Sequence, residues 1–297
     1  MPSVLDNGII KLIIDEPGEN YISSRFDWTG KITSIILNGN HEFLTVEKPV
    51  QMDVSLFGRG LYNEFGISTP VGYDDCKPGE WFPKLGVGLL KKPDEKPFNF
   101  YQPYEINPFI IEITSNDNNI EYLIHPKDCR GYAASFRKNI SLDENRIYID
   151  YQLENVGSKS ILTEEYIHNF IGINNEYIGP DYKLEFPFIL DTSVFDEFVN
   201  PEGILELTDN TVNFVKKTED QFYIGNAVVN NVNSGSWKII NGKHKVCICE
   251  TVNFIPSSVS IWGWKHVISP EIFYRIDLNP GESANWQRKY ELYTITK

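Results

Sequence analysis

The stretch RIYIDYQLENVGSKSILTEEYIHNFIGI, residues 146–173, decides the fold class. Both halves of the stretch alternate apolar and polar side chains, which is the pattern of a strand that buries one face. Gly157 and the polar residues beside it interrupt the alternation and indicate a turn. The stretch therefore predicts two successive β-strands.

Similar runs continue along most of the chain, and Asn, Asp, Gly and Pro separate them. Examples are GIIKLII, ITSIIL, FIIEIT, KVCICETV, SVSIWGW and YELYTIT. DTSVFDEFVN, residues 191–200, is the segment for which we predict a short helix. Since no linker, low-complexity tract or repeat divides the chain, we predict an all-β fold. The architecture expected is one large antiparallel β-sandwich, a single domain over residues 1–297.

The composition restricts the possible partners. The chain has 297 residues, of which 41% are hydrophobic, so it can bury a large core. Its formal net charge of -14 opposes binding to nucleic acid and to anionic membranes, whereas a neutral small-molecule carbohydrate needs no charge attraction. The start of the chain lacks the pattern of a secretory signal, and no apolar run is long enough to span a membrane, so we expect a cytoplasmic protein.

The cysteines do not predict a metal site. Their positions are Cys76, Cys129, Cys247 and Cys249. This spacing matches no zinc-binding pattern, and reduced thiols in a cytosolic core are the expected state.

Two predicted strands carry candidate catalytic groups. Alternation over residues 163–171 places four side chains on one face: Glu164, Tyr166, His168 and Phe170. Such a face is typical of a binding surface, although a core histidine bonded to a backbone carbonyl also explains His168. In ISPEIF, residues 268–273, Glu271 is the second candidate, and a solvated carboxylate at a strand end is the alternative interpretation.

Residues 57–104 have a different composition, rich in Gly, Pro and aromatic residues. We interpret them as a long loop over the sheet, the kind of segment in which binding residues collect. The polar and aromatic side chains singled out there are Arg59, Asn63, Glu64, Trp81 and Lys84.

Six segments occur in an order that resembles a known family. They are FGRGLYNEFGI (57–67), EYIHNFIGI (165–173), NSGSWKII (233–240), VSIWGW (259–264), ISPEIF (268–273) and LNPGESANWQRKYEL (278–292). In turn they resemble the GR-x-x-N segment, the N-H-x-Y-F-N-L strand, the SGR strand, the Q-x-Y-T-G strand, the E-P strand and the closing PGE strand pair of the aldose 1-epimerases, or galactose mutarotases. The resemblance spans most of the chain, and it implies the galactose mutarotase-like supersandwich fold.

The resemblance also implies an activity, the interconversion of the anomers of a free sugar. His168 matches the family's general acid and Glu271 its base, while Arg59 and Asn63 match sugar-binding positions. A general acid and a general base on opposite sides of one sugar suffice for ring opening and closure, so no metal and no cofactor is expected. Tyr166 is expected to contact the substrate.

The chain departs from the family pattern at two places, which implies a divergent branch. It has no equivalent of the HGG segment that supplies a second histidine; we expect Trp81 and Lys84 to occupy that space, with His125 and His266 as reserve histidines. It also lacks the substrate Asp of the D-H-N segment, near whose position stands QFYIGNAV (221–228).

Two other functions remain open on the sequence. A glycoside hydrolase needs two carboxylates that flank a glycosidic bond, and Glu164 and Glu271 are the candidates. A non-catalytic carbohydrate-binding or sensor protein is the other, because of the missing second histidine and substrate Asp.

Overall fold

A computed structural model describes residues 1–48, 55–225 and 235–295. These residues form 23 β-strands and three short 3-10 turns, and they contain no α-helix. The 3-10 turns are Ile173–Asn175, Thr192–Val194 and Pro201–Gly203. None of the described helical segments is long and apolar enough to cross a membrane.

The strands are numbered in chain order. The first eight are β1 (Ser3–Asp6), β2 (Ile10–Asp15), β3 (Lys31–Leu37), β4 (His41–Glu42), β5 (Leu61–Phe65), β6 (Trp81–Lys84), β7 (Gly88–Lys91) and β8 (Ile106–Pro108). The next seven are β9 (Ile111–Ser115), β10 (Asn119–Ile124), β11 (Ala134–Asp143), β12 (Arg146–Asn155), β13 (Ile161–Asn169), β14 (Tyr182–Glu185) and β15 (Glu197–Val199). The last eight are β16 (Leu205–Thr208), β17 (Thr211–Phe214), β18 (Phe222–Gly225), β19 (Ser236–Asn241), β20 (Val246–Val252), β21 (Ser258–Trp264), β22 (Val267–Leu278) and β23 (Ser283–Thr294).

Two ten-stranded antiparallel sheets make up most of the molecule. The first has the order β1-β2-β3-β5-β13-β22-β21-β18-β15, with β4 paired to β3. The second has the order β16-β17-β14-β19-β20-β23-β12-β11-β10-β9, and β6, β7 and β8 form a small third sheet. The predicted all-β class and antiparallel sandwich are confirmed.

The two large sheets pack face to face because their strands alternate in burial. Along β12, for example, Ile147, Ile149 and Leu153 are fully buried. Removing such side chains from water supplies about 1.5–3 kcal/mol each, which is the main force that holds the sheets together. Polar groups also bridge the sheets: the buried Arg288 of β23 hydrogen-bonds the Glu165 carboxylate of β13 through Nη2 at 2.7 Å.

The structure differs from the sequence prediction in two segments. The predicted helix over residues 191–200 is wrong: a 3-10 turn, Thr192–Val194, is followed by the edge strand β15. The Asp191 carboxylate accepts the Ser193 N–H and closes the turn, and the following residues then pair with β18. Residues 57–104 are not one long loop either, because β5, β6 and β7 lie within them.

Candidate active site

The candidate site forms where β13 and β22 run side by side in the first sheet. Glu165 lies opposite Tyr274, and farther along Ile171 lies opposite Ile268, so the register is the same at both points. That register places His168 directly opposite Glu271. Directly opposed side chains on antiparallel strands have Cβ atoms about 4.5–5.5 Å apart, close enough for their polar groups to meet.

Pro270 explains why the strands open at this point. In the same register Pro270 faces Asn169, but proline has no N–H to donate to the ladder. The Asn169 carbonyl therefore receives no ladder hydrogen bond from Pro270. The Asn169 side-chain amide donates to the Pro270 carbonyl at 2.6 Å, and the Asn169 N–H donates to the Ser269 hydroxyl oxygen at 2.9 Å. A serine side chain is thereby inserted between the two strands.

The inserted hydroxyl links the two candidate catalytic groups. Ser269 Oγ lies 2.8 Å from His168 Nδ1 and donates to Glu271 Oε1 at 3.0 Å. His168 Nδ1 and Glu271 Oε1 are themselves 3.3 Å apart. Both residues are 5% exposed. The predicted separation on opposite sides of a sugar is therefore not what the structure has: the two groups form one contiguous pair.

Burial favours the uncharged form of each member of the pair. Desolvation, with a smaller contribution from the nearby Arg25 charge, holds the pKa of the His168 imidazole well below its usual range. Desolvation likewise raises the pKa of the Glu271 carboxyl to about 8. The surroundings of the imidazole are aromatic, since its ring stacks on Phe170 at 4.0 Å between centroids and meets the Trp262 ring edge-on at 5.2 Å.

The pair lies in a cavity of about 580 Å³ on the outer face of the first sheet. Aromatic rings form part of its wall: Phe100, Tyr101, Tyr223, Trp262 and Phe273. Its Arg, Lys, Asp and Glu lining residues are Arg25, Lys48, Glu47, Glu164, Asp196, Glu197 and Glu271. Aromatic faces with hydrogen-bonding groups between them suit a sugar, which presents apolar C–H faces and hydroxyl edges.

Arg25 is a cavity residue that the sequence analysis missed. Its Nε donates to Glu64 at 2.8 Å, its Nη2 donates to the Tyr166 hydroxyl at 3.2 Å, and its Nη1 lies 3.5 Å from Glu47. Phe100 covers the guanidinium at 4.5 Å. Two carboxylates thus balance the charge of Arg25, so it provides N–H donors at the cavity wall with little net attraction for anions.

Tyr166 and Glu164 line the cavity from the same face of β13 as His168, but their polar atoms are already engaged. The Tyr166 hydroxyl donates to Glu64 at 2.6 Å. Glu164 accepts hydrogen bonds from the N–H groups of Ser68 and Thr69 and from the Thr69 hydroxyl. Glu164 is therefore an anchor for the loop that follows β5.

The other four predicted substrate contacts lie outside the lining of this cavity. Asn63 is on the opposite face of β5, between the sheets, where it hydrogen-bonds Glu165 and Tyr151. Every residue of β5 is buried, so the strand has no exposed polar face that would distinguish the core side from the cavity side. Arg59 pairs with Val46 in an isolated bridge.

Trp81 and Lys84 belong to β6 of the small sheet. The Lys91 ammonium lies over the Trp81 ring at 5.7 Å. Lys84 is buried behind the cavity, where it donates to the Phe65 carbonyl and lies 3.8 Å from Glu64.

Neither reserve histidine lines the cavity. His125 directly follows β10 of the second sheet, with Nε2 3.1 Å from Glu112. The ring of His266 binds the Val46 carbonyl at 2.9 Å, and burial lowers its pKa. Over the described residues, His168 is the histidine that lines the cavity.

Two segments named from the sequence, one where the family's substrate Asp is missing and one of the six family-like segments, are described only in part. Of QFYIGNAV, Gln221, Tyr223 and Gly225 line the cavity, whereas residues 226–228 lie outside the described residues. Of NSGSWKII, residues 233 and 234 lie outside them, Gly235 precedes β19, and the rest belongs to β19 in the second sheet.

No cluster of three or more histidine, cysteine or carboxylate side chains suited to a metal ion occurs in the described part of the chain. The four cysteines are free thiols.

Comparison with known proteins relates the fold to solved structures. No family model matches the chain, and no curated protein matches it. The chain is similar to a galactose mutarotase related enzyme from Lactobacillus acidophilus, at 13% identity and TM-score 0.61 over 100% of this chain and 99% of that chain. It is also similar to a galactose mutarotase-like protein from Clostridium acetobutylicum, at 12% identity and TM-score 0.58 over 98% and 95% of the two chains.

A third similar structure is a GalM/aldose epimerase homologue from C. elegans, at 8% identity and TM-score 0.55 over 100% of both chains. Likeness at such low identity establishes the fold, which is the galactose mutarotase-like fold that the sequence resemblance implied. Activity is a separate question that the site has to answer.

Proposed function

We propose that this protein is an aldose 1-epimerase-type isomerase that interconverts the anomers of a free, unphosphorylated sugar. The observation that carries the proposal is the contact between His168 and Glu271 inside an aromatic-walled cavity of sugar-binding size. Both residues lie on central strands of a large sheet, which fixes their positions well.

A contiguous pair suits this chemistry. Ring opening removes a proton from the anomeric hydroxyl, adds a proton to the ring oxygen and breaks the bond between that oxygen and the anomeric carbon. The two oxygens are attached to the same carbon, so a base and an acid side by side reach both. After rotation about the next carbon–carbon bond, closure retraces these steps and gives the other anomer.

The pair needs one transferable proton. Burial favours the form in which Glu271 is protonated and His168 is neutral. In that form Glu271 is the acid and His168 is the base. The family resemblance assigns the opposite roles, with His168 as acid and Glu271 as base. The two assignments describe the same pair with its proton on Glu271 in the first and on His168 in the second. Since closure reverses opening, each residue gives and takes one proton in a complete cycle.

The charges around the cavity support a neutral substrate. Arg25 is balanced by Glu47 and Glu64. Beyond Arg25, the described lining holds one further cation, Lys48, beside the carboxylates Glu164, Asp196 and Glu197, so it offers no cluster of positive charge for a phosphate.

Polarimetry of freshly dissolved α-glucose and α-galactose tests the proposal. Wild type should accelerate the approach to equilibrium, and His168→Gln and Glu271→Gln should each lose roughly 10²–10⁴-fold, the usual contribution of an acid or base. His125→Gln is the matched control, because that imidazole is half-exposed on the other sheet. Sugar 6-phosphates and uronic acids should be poorer substrates. Full activity in both site variants would refute the assignment.

The hydrolase alternative has less support from the geometry. It requires Glu164 as a second catalytic carboxylate, and that group is held by three donors of the loop at Ser68 and Thr69. Cleavage of aryl glycosides without anomer exchange would favour the hydrolase, and sugar binding without either activity would favour a sensor.

A further inference from the structure

Ser269 stands at the centre of the candidate pair with all its hydrogen-bonding capacity used. A hydroxyl has one proton to donate and two lone pairs that accept. Ser269 Oγ accepts the Asn169 N–H at 2.9 Å and donates its own proton to Glu271 Oε1 at 3.0 Å. With the serine proton directed at Oε1, the remaining lone pair faces His168 Nδ1 at 2.8 Å, which makes that nitrogen the donor.

We propose that Ser269 is the positioning residue of the site: it fixes the tautomer of His168 and the orientation of the Glu271 carboxyl. The role assigned to Ser269 rests on the proposed acid–base function of the pair. With Nδ1 and Oε1 tied to the serine, the atoms left for the sugar are His168 Nε2 and Glu271 Oε2. Within the described residues these two atoms have no hydrogen-bond partner, and both side chains line the cavity.

The same hydrogen bonds serve both protonation states of the pair. Before ring opening, Oε2 carries the transferable proton and Nε2 carries a lone pair. During opening, Nε2 takes the proton of the anomeric hydroxyl and Oε2 gives its proton to the ring oxygen, which leaves an imidazolium beside a carboxylate. Nδ1 still donates to Oγ, and Oγ still donates to Oε1, so the serine proton does not have to rotate at any point in the cycle.

The local backbone explains why a hydroxyl is needed here. Pro270 cannot donate to β13, so the regular ladder is broken here, and the Pro270 carbonyl accepts the Asn169 side-chain amide in place of the Asn169 backbone N–H. The buried Asn169 N–H therefore needs another acceptor. Ser269 is fully buried and supplies it. Without the hydroxyl, Nδ1 and Oε1 both lose the hydrogen-bond partner that ties them to the serine, and both side chains are free to turn away from the sugar.

The Ser269 hydroxyl also affects the pH–rate profile, because it lowers the pKa of the Glu271 carboxyl. Burial raises the pKa of the Glu271 carboxyl, and the hydrogen bond from Ser269 opposes that rise. Removing the hydroxyl should therefore move the alkaline limb of the pH–rate profile to higher pH, a change that general loosening of the fold does not produce.

The test compares Ser269→Ala with Ser269→Thr, which keeps a hydroxyl, and with Ser34→Ala. Ser34 is the matched control, because it is a buried serine on β3 whose hydroxyl donates to Glu42 away from the cavity. Ser269→Ala should lower kcat roughly 10- to 100-fold, less than loss of the acid or base itself. KM should change little, and the alkaline limb should shift upward. Ser269→Thr should recover most of kcat, and Ser34→Ala should keep the wild-type pH profile.

A second readout separates this role from the proposed function. Imidazole ¹⁵N chemical shifts should report the Nδ1–H tautomer of His168 in wild type and its loss in Ser269→Ala, with or without turnover. If wild type fails to exchange anomers but shows this tautomer change, the proposed function is wrong and the role of Ser269 stands. An unchanged tautomer, or a Ser269→Ala variant with wild-type kcat and pH profile, would overturn the inference.

Discussion

Replacing Glu271 with Gln should remove a pH-dependent loss of stability. Burial raises the pKa of this carboxyl to about 8, whereas a glutamate in an unfolded chain titrates at about 4.3. The folded state thus favours the protonated form of Glu271. The stability that goes with the protonated carboxyl is fully present below the unfolded pKa and is lost as the pH rises through the folded pKa. Between pH 5 and pH 8 the linkage relation gives a loss on the order of 3 kcal/mol in wild type, which the Gln variant avoids.

Urea unfolding of both proteins at pH 5 and pH 8, followed by tryptophan fluorescence, measures this difference. His168 titrates in the opposite sense, with stability lost as the pH falls, but it is present in both proteins and largely cancels in the comparison. Glu95→Gln, at an exposed position, is the control and should keep the wild-type loss of stability between the two pH values, because Glu271 is still present. A stability difference between Glu271→Gln and wild type that is the same at both pH values would refute the reasoning that Glu271 is a buried acid.

Three further substitutions test the surroundings of the pair. Asn63→Ala removes a partner of the buried Glu165 carboxylate and should cost roughly 1–3 kcal/mol in urea unfolding with KM unchanged; a higher KM at unchanged stability would show that Asn63 contacts the sugar. Arg288→Met leaves Glu165 and Glu250 buried without their cation and should cost roughly 3–5 kcal/mol, seen as a lower Tm; a wild-type Tm would contradict the role of this ion pair. Trp262→Leu removes an aromatic wall of the cavity and should raise KM several-fold in polarimetric kinetics, and an unchanged KM would exclude the ring from the site.

The sequence predicted the fold and three residues of the candidate site, His168, Glu271 and Tyr166, for identifiable reasons. Alternation along 163–171 and 268–273 places His168 and Glu271 on strand faces, and the ordered family-like segments link the two strands to one site. Alternation does not predict that β13 pairs with β22, because the two strands are about a hundred positions apart in the sequence. The 3.3 Å contact, and the opening at Pro270 that admits Ser269, follow from that pairing.

The residues assigned from the segment 57–104 show where the reasoning from sequence stops. Asn63 lies in a strand buried on both faces, so its polarity is equally compatible with the core and with the cavity. In the core it completes a buried network with Glu165 and Tyr151. Arg25 stands in a turn before β3 with no periodic pattern around it, and its place in the cavity depends on carboxylates supplied by distant segments.

The buried ion pairs beneath the site have a structural consequence. Arg288 bonds Glu165 and Glu250 and also donates to the Ile272 carbonyl of β22. These contacts hold β13 and β22 from the core side, opposite the cavity. Such buried contacts beneath the sheet keep the candidate pair in register, which the proposed chemistry requires.

The central claim is that His168 and Glu271 act as one acid–base unit on the anomeric centre. Its most direct test is the rate of anomer exchange at equilibrium, measured by NMR magnetisation transfer for wild type, His168→Gln, Glu271→Gln and the double variant. Residues that act as a unit are strongly non-additive, so the double variant should be about as slow as either single variant, each roughly 10²-fold or more below wild type. A wild type no faster than buffer, or single losses that multiply in the double variant, would contradict the account.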